Sequence, residues 1–169
     1  MPEPKEHAEH RNWLETILRY IPGFRGYLEK EYRRDSDGLQ REWLADRLQR
    51  SKRAIDDFTR PLADAGRIDA LPQVDRLRGR LDKLIARIRG AMQGYSGFFD
   101  LVRVREDLLD RVYEHDLGLM QRVDALSQAI EGLPDALDRT AQTISSLLEQ
   151  IDALEQQWDI REDMLKGLE

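Results

Sequence analysis

The sequence predicts an all-α fold, an elongated antiparallel helical bundle or coiled coil of four to five helices. Three observations carry that expectation. Apolar residues recur at spacings of three, four and seven, which gathers them on one face of an α-helix; the series Val102, Leu109, Val112, Leu119, Val123, Leu126, Ile130 keeps to these spacings throughout. The interruptions fall at Pro22-Gly23, Gly66, Gly94–Gly97 and Gly132–Pro134, the residue types at which helices stop. No stretch alternates with the period of a strand, and the Asp37-Gly38 pair lies between helical patterns rather than between β-formers, so it marks no hairpin.

The first helix is expected from about Pro4 to Tyr20, with Trp13, Leu14, Ile17, Leu18 and Ile21 as its stripe. Pro22-Gly23 ends it, because proline cannot continue the ladder and glycine accepts a left-handed backbone. A second helix is expected from about Asp35 to Ala65, or continuous with a first turn near Gly26, on the stripe Leu44, Leu48, Ile55, Phe58 and Leu62, with Ser51 in the remaining seam position and Leu39 and Trp43 widening the apolar face. Ser36-Asp37-Gly38 reads as a break or an N-cap, and Pro61 loosens the last turns. The third helix starts at Pro72, where a missing N–H costs little. Its seam of Val74, Leu77, Leu81, Leu84, Ile88 and Ala91 is the cleanest heptad pattern in the chain, and Gly79 within it suits a close helix crossing.

The glycine-aromatic turn Gly94-Tyr95-Ser96-Gly97-Phe98-Phe99 precedes a central helix from Leu101 to Ile130, with Asp100 as its N-cap. At 1.5 Å per residue that helix is about 45 Å long. The last helix is expected from Pro134 to about Lys166, on Leu137, Ala141, Ile144, Leu148, Ile151, Trp158 and Leu165. Glu155 and Glu162 fall into its seam in that register, and a shifted register would use Leu154 instead. The turns at 22–27 and 94–99 share their glycine-aromatic character and are expected to meet at one end of the bundle. At least one of Gly23 and Gly97 is expected at positive φ, since reversal beside Phe24 or Phe98 leaves little room for a Cβ.

A chain of 169 residues, 40% hydrophobic and 36% charged, suits a single helical domain over 1–169. Its parts are an amphipathic helix to residue 21, a bundle core over 22–132 and a coiled-coil helix over 133–169. The absence of cysteine excludes disulfides, thiolate nucleophiles and cysteine-bound metal. There is no signal-type apolar run near Met1, and no window approaches the roughly 18–20 apolar residues of a membrane span, so cytoplasmic residence is expected. A net charge of −6 sets nucleic acid aside as a partner. The charge is uneven: Arg76, Arg78, Arg80, Lys83, Arg87 and Arg89 make the third helix basic, whereas the last helix is acidic. Salt bridging between those two helices is the simplest account of both.

Constellations that could carry chemistry are few. His7 and His10 share a helical face, but a metal site needs further ligands. Glu-x-x-His, which a di-iron bundle needs twice, does not occur. There is no P-loop, dinucleotide fingerprint, zinc-protease helix or nucleophile elbow, so no catalytic residue, metal or cofactor is expected. Asp116 and Arg105 interrupt the central stripe at seam positions. Either they form a buried polar network or they sit at the margin of a wide face and reach solvent; the second reading is the simpler.

Ile21-Pro22-Gly23-Phe24-Arg25-Gly26-Tyr27, continuing through Lys30-Glu31 and Arg33-Arg34-Asp35, resembles the opening signature of a poorly characterised family of prokaryotic α-helical proteins. Tyr95-Ser96-Gly97-Phe98-Phe99-Asp100, followed by Leu109–Asp116, resembles that family's second signature. The resemblance covers roughly 21–123. It implies a helical fold with two special turns, and no reaction.

The sequence thus points to a non-enzymatic helical interaction or scaffold protein, with a protein partner or a second copy as its target. One alternative is a peripheral membrane or envelope-stress coiled-coil protein, from the Trp13–Ile21 stripe, although its polar face lacks the cationic excess that anionic lipid favours. Another is a small-ligand binder at the glycine-aromatic turns. The candidate interaction or ligand residues are Phe24, Tyr27, Arg33, Arg34, Tyr95, Phe98 and Phe99.

Overall fold

The computed structural model describes residues 4–27, 30–90 and 106–166. Those residues form five α-helices: α1 (Pro4–Tyr20), α2 (Lys30–Asp64), α3 (Leu71–Gly90), α4 (Glu106–Glu131) and α5 (Thr140–Lys166). Short 3-10 turns at Ile68–Ala70, Leu133–Asp135 and Leu137–Arg139 connect them, and no strand occurs among the described residues. With 35 residues, α2 is about 52 Å long. The protein is an all-α helical bundle.

The expected seams are where burial is found. Leu44, Leu48, Ile55, Phe58 and Leu62 of α2, Val74, Leu77, Leu81, Leu84 and Ile88 of α3, and Leu109, Val112, Leu119, Val123, Leu126 and Ile130 of α4 join one core. Ser51 keeps its seam place by donating its hydroxyl to the Leu48 carbonyl at 2.7 Å. α2 packs against both α3 and α4, and α5 packs against both as well, so α2 and α5 face each other across the bundle.

Ion pairs give the helix directions. Asp46–Arg89, Lys52–Asp82 and Asp56–Arg78 run in opposite orders along α2 and α3, which makes that pair antiparallel. Arg80 pairs with Asp152 and Glu155, and Arg87 with Asp159 and Glu162, so α3 and α5 run parallel. The basic third helix and the acidic last helix therefore neutralise each other, as the simplest reading of their charge has it. These pairs are partly exposed, and each is worth little on its own.

The turns follow local chemistry. Phe24 N–H donates to the Ile21 carbonyl at 3.2 Å, with Pro22 and a positive φ of 89° at Gly23 between them, the pattern of a type II turn. Gly66, at φ 73°, ends α2. Arg67 N–H reaches the Leu62 carbonyl at 2.9 Å and Gly66 N–H that of Ala63 at 3.0 Å, the paired bonds of a Schellman motif. The expectation of a positive φ is met at Gly23; Gly97 lies outside the described residues, as do Tyr95, Phe98, Phe99, Asp100 and Arg105, and with them the expected meeting of the two turns.

Several expectations are corrected. α2 begins at Lys30, so of the two expected starts it takes the one before Asp35, and it runs unbroken through Ser36-Asp37-Gly38, because Ser36 and Asp37 are buried members of its inner face rather than a break or a cap. The last helix begins at Thr140, after two 3-10 turns, not at Pro134. Its seam is Ile144, Leu147, Ile151, Leu154, Trp158 and Leu165, which takes the shifted register: Leu148 and Glu155 are only half-buried and Ala141 is exposed. Gly79 makes no close crossing, since a Cβ there would meet nothing within 4 Å.

Gly26, at φ 85°, is different. It is buried, and a Cβ would overlap the Tyr113 hydroxyl and stand 3.3 Å from Leu14 Cδ1. Gly26→Ala should destabilise by about 1–3 kcal/mol from the backbone alone, with overlap added to it. Gly23→Ala, whose Cβ would meet nothing within 4 Å, should show only the backbone cost. Equal urea midpoints for the two variants would show that the Tyr113 contact relaxes.

Candidate functional site

The densest polar chemistry among the described residues lies inside the bundle, at the end where the α1–α2 turn meets α4 and α5. Asp116 of α4 is fully buried. It accepts from the Tyr27 hydroxyl at 2.5 Å on one carboxylate oxygen and from Arg161 Nε at 2.7 Å on the other. Arg161 of α5 extends past it to donate from Nη2 to Asp37 of α2 at 2.6 Å. Asp37 in turn pairs with Arg41, one helical turn on, at 2.9 Å. Arg161 and Arg41 both stand against the ring of Trp158, at 5.3 and 5.7 Å from its centre, and Trp158 Nε1 donates to Glu162 at 2.9 Å. Three helices and a turn are thereby tied at one point.

Tyr27 is the hub. Its backbone N–H donates to the Tyr113 hydroxyl, its carbonyl accepts from Arg33 Nε at 2.5 Å, and its own hydroxyl reaches Asp116. Phe24 meets it edge-on at 5.6 Å and Tyr113 tilts against it at 5.1 Å. With every polar group of a buried tyrosine satisfied, the aromatic turn is held as firmly as a helix.

The electrostatics follow from burial. Burial and the neighbouring Asp116 carboxylate hold the Tyr27 hydroxyl proton well above the ordinary tyrosine range. Burial acts to lower the Arg161 pKa, but Asp116 and Asp37 outweigh it and raise that pKa, so the guanidinium stays charged. The simpler reading of Asp116, a marginal position reaching solvent, is overturned by its complete burial. Arg161 had no signal in the sequence beyond its place: it follows Trp158 by three and precedes Leu165 by four, and so stands where the seam expects an apolar residue.

The expected site residues divide. Phe24, Tyr27 and Arg33 come together, in the interior rather than on an open surface. Arg34 is exposed, and Tyr95, Phe98 and Phe99 lie outside the described residues. His115 binds the Gln157 carbonyl through Nε2 at 2.7 Å and ties α4 to α5. No group of three or more metal-ligating side chains occurs among the described residues. The network does not complete its own hydrogen bonding: Gln40, fully buried, has neither amide atom paired, and Ser36 Oγ and Arg161 Nη1 are likewise without a partner. Each such group costs about 1–3 kcal/mol if left so.

Comparison with known proteins finds no matching family model, curated protein or solved structure. The resemblance carried by the stretch from Ile21 to Asp35 therefore rests on its residues alone. In the structure, Ile21, Phe24, Gly26 and Tyr27 of that stretch are the buried residues of one turn, and Arg33 from the start of α2 holds the Tyr27 carbonyl.

Two measurements probe the network. Asp116→Leu should cost about 3–5 kcal/mol, because it leaves the buried Arg161 guanidinium with Asp37 as its remaining carboxylate and the Tyr27 hydroxyl without its acceptor. Combining it with Arg161→Met should cost less than the sum of the single changes in a double-mutant cycle; additive losses would mean the two side chains do not interact. The second is pH. Because the folded state holds the Tyr27 proton above the unfolded value of about 10, the unfolded chain binds fewer protons once that pH is passed, and stability falls as pH rises further. Urea midpoints should therefore drop above about pH 10, and less steeply in Tyr27→Phe; identical slopes would remove Tyr27 from the linkage.

Proposed function

We propose that this chain is a non-enzymatic helical interaction or scaffold protein that binds a protein partner, in the first instance a second copy of itself, through the outer face of α2. The observation that carries the reading is a groove of about 410 Å³ between the end of α1 and α2. Its floor is Tyr20, Ile21, Pro22, Leu39 and Trp43, and Glu42, Asp46 and Arg50 stand at its rim. An aromatic and aliphatic floor inside a charged rim is the anatomy of a protein interface. Tyr20 and Trp43 pack edge to face at 5.5 Å, so the floor is preformed.

The rim argues for a second copy. Glu42 and Arg50 lie eight residues apart on the exposed side of α2. A second α2 laid antiparallel across the groove sets Glu42 of each protomer against Arg50 of the other, the self-complementarity that a twofold interface requires. The charged network favours a structural rather than a catalytic role, since its aspartates and Arg161 are almost wholly shielded from solvent and spent on one another. The heptad-spaced pairs between α3 and α5 support coiled-coil-type packing.

The membrane-surface alternative has less support. Ile17 and Ile21 of the α1 stripe are buried in the core, leaving Leu18 as its exposed large residue at 39%. No described helix is long and apolar enough to cross a membrane. A pocket between the two aromatic turns is also less supported, because Phe24 and Tyr27 fill the core themselves. Cytoplasmic residence remains part of the proposal.

Sedimentation velocity over a concentration series tests the reading. The wild-type chain should form a dimer, Arg50→Glu should weaken it at least tenfold, and Glu42→Arg combined with Arg50→Glu should restore it. A monomer at every concentration removes self-association, and a dimer indifferent to Arg50→Glu removes this face.

A further inference from the structure

We propose that Asp46 stands on the twofold axis of the α2–α2 interface, facing its own copy, and that Arg89 of α3 is the residue that lets the two carboxylates meet. The inference rests on the self-association reading and adds to it a register and a determinant.

The residues of α2 that line the groove beside α1 are Leu39, Glu42, Trp43, Asp46, Gln49 and Arg50. Five of these, at 42, 43, 46, 49 and 50, are spaced symmetrically about position 46. Steps of three and four from that centre keep them on one face of the helix. In a twofold antiparallel pair, residue i meets residue j and j meets i. The register that sets Glu42 against Arg50 also sets Trp43 against Gln49, and position 46 is then its own mate. The flanks of the interface join opposite charges and set an aromatic ring on an amide, but its centre brings together two carboxylates.

Bare carboxylates at that centre would oppose association. Like charges set face to face repel, and more strongly as the interface closes and water leaves. The structure holds a neutralising group there. Arg89, in the last turn of α3, donates from Nη2 to Asp46 Oδ1 at 2.9 Å. Both side chains are about half-exposed in the single chain, so the pair adds little to the stability of the fold. Its consequence falls on the interface, to which each copy brings one carboxylate and one guanidinium. A guanidinium carries five N–H donors in a fork, enough for Arg89 to hold its own Asp46 and that of the other copy. The other charged groups on this stripe, Glu42 and Arg50, lie one turn to either side and answer each other across the interface.

Two experiments on the full chain test this. The chain has no cysteine, so a single introduced thiol reports which position faces its own copy. Asp46→Cys should give a disulfide-linked dimer under mild oxidation, since a bridge needs Cα atoms within about 7 Å. Gln49→Cys should not, because position 49 of one copy lies six residues from position 49 of the other, an offset of about 9 Å along the helix. The second experiment is sedimentation velocity. Arg89→Gln should weaken the dimer by roughly tenfold or more, while the melting temperature of the dilute, monomeric chain stays unchanged. Adding Asp46→Asn should recover most of the lost affinity, because no carboxylate is left to neutralise. A wild-type chain that is monomeric at every concentration, or a dimer indifferent to Arg50→Glu, removes the self-association reading and this inference with it. A dimer that Arg50→Glu dissociates, but that survives Arg89→Gln or links through Gln49→Cys rather than Asp46→Cys, leaves the interface standing and overturns the axis at Asp46. Loss of affinity in Arg89→Gln without recovery in the double variant overturns the role given to Arg89.

Discussion

The Asp116–Arg161–Asp37 ion triplet is the constraint around which the rest of the bundle is arranged. It is set in an interior almost free of solvent, and its three members come from three different helices. Charges in that setting are costly unless each is paired and hydrogen-bonded, so the arrangement of α2, α4 and α5 at this end has little freedom. Sliding any one helix by a residue would withdraw a partner and strand a charge. The aliphatic seams elsewhere tolerate small displacements, because dispersion and burial are non-directional. The polar end therefore sets geometry, while the apolar length supplies most of the driving force.

Tyr27 extends that constraint to the chain outside the helices. The turn from Ile21 to Tyr27 has no regular hydrogen-bond ladder, yet it is buried at Ile21, Phe24, Gly26 and Tyr27. Its backbone groups must find partners elsewhere. Tyr113 and Arg33 provide them at Tyr27. The Tyr113 hydroxyl can approach the backbone so closely only because Gly26 has no side chain. The positive φ of that glycine and the hydrogen bond from Tyr27 are one feature, and α1 is delivered to the flank of α4 as a result.

The helices were legible in the sequence because their cause is local and periodic. A three-four apolar pattern survives without knowledge of the partner, and so Val74 to Ile88 and Leu109 to Ile130 were readable as buried faces. The type of turn at Pro22-Gly23 was readable for the same reason. What was hidden depends on long-range pairing. Arg161 looks like any helix-surface arginine until Asp116 and Asp37 are known to face it, and Asp116 looked marginal for want of that partner. The seam of α5 was ambiguous because Leu147 and Leu148, and Leu154 and Glu155, are adjacent in sequence; only the neighbouring helices decide which of each pair points inward. Ser36 and Asp37, which favour caps on propensity, sit inside α2 because tertiary pairing outweighs that preference.

The contact between α3 and α5 shows what the buried charges add. Arg80 and Arg87 are seven residues apart, as are Asp152 and Asp159, and Glu155 and Glu162. If α3 slid against α5 by one heptad, Arg87 would meet Asp152 and Glu155, and the two arginines together would keep one of their two sets of partners. The apolar seam of α5 repeats in the same way, since Ile151 stands seven residues after Ile144 and Leu154 seven after Leu147. Heptad repeats in charge and in apolar pattern thus leave the register of this pair weakly determined. Arg161 does not repeat: seven residues before it stands Leu154, and seven residues before Asp116 stands Leu109. A slip of α5 that preserves the outer ion pairs would place a leucine opposite Asp116 and carry the guanidinium into apolar surroundings. The outer pairs can be satisfied in more than one register, and the buried triplet in one, so the register is chosen by the interaction that is costly to misplace.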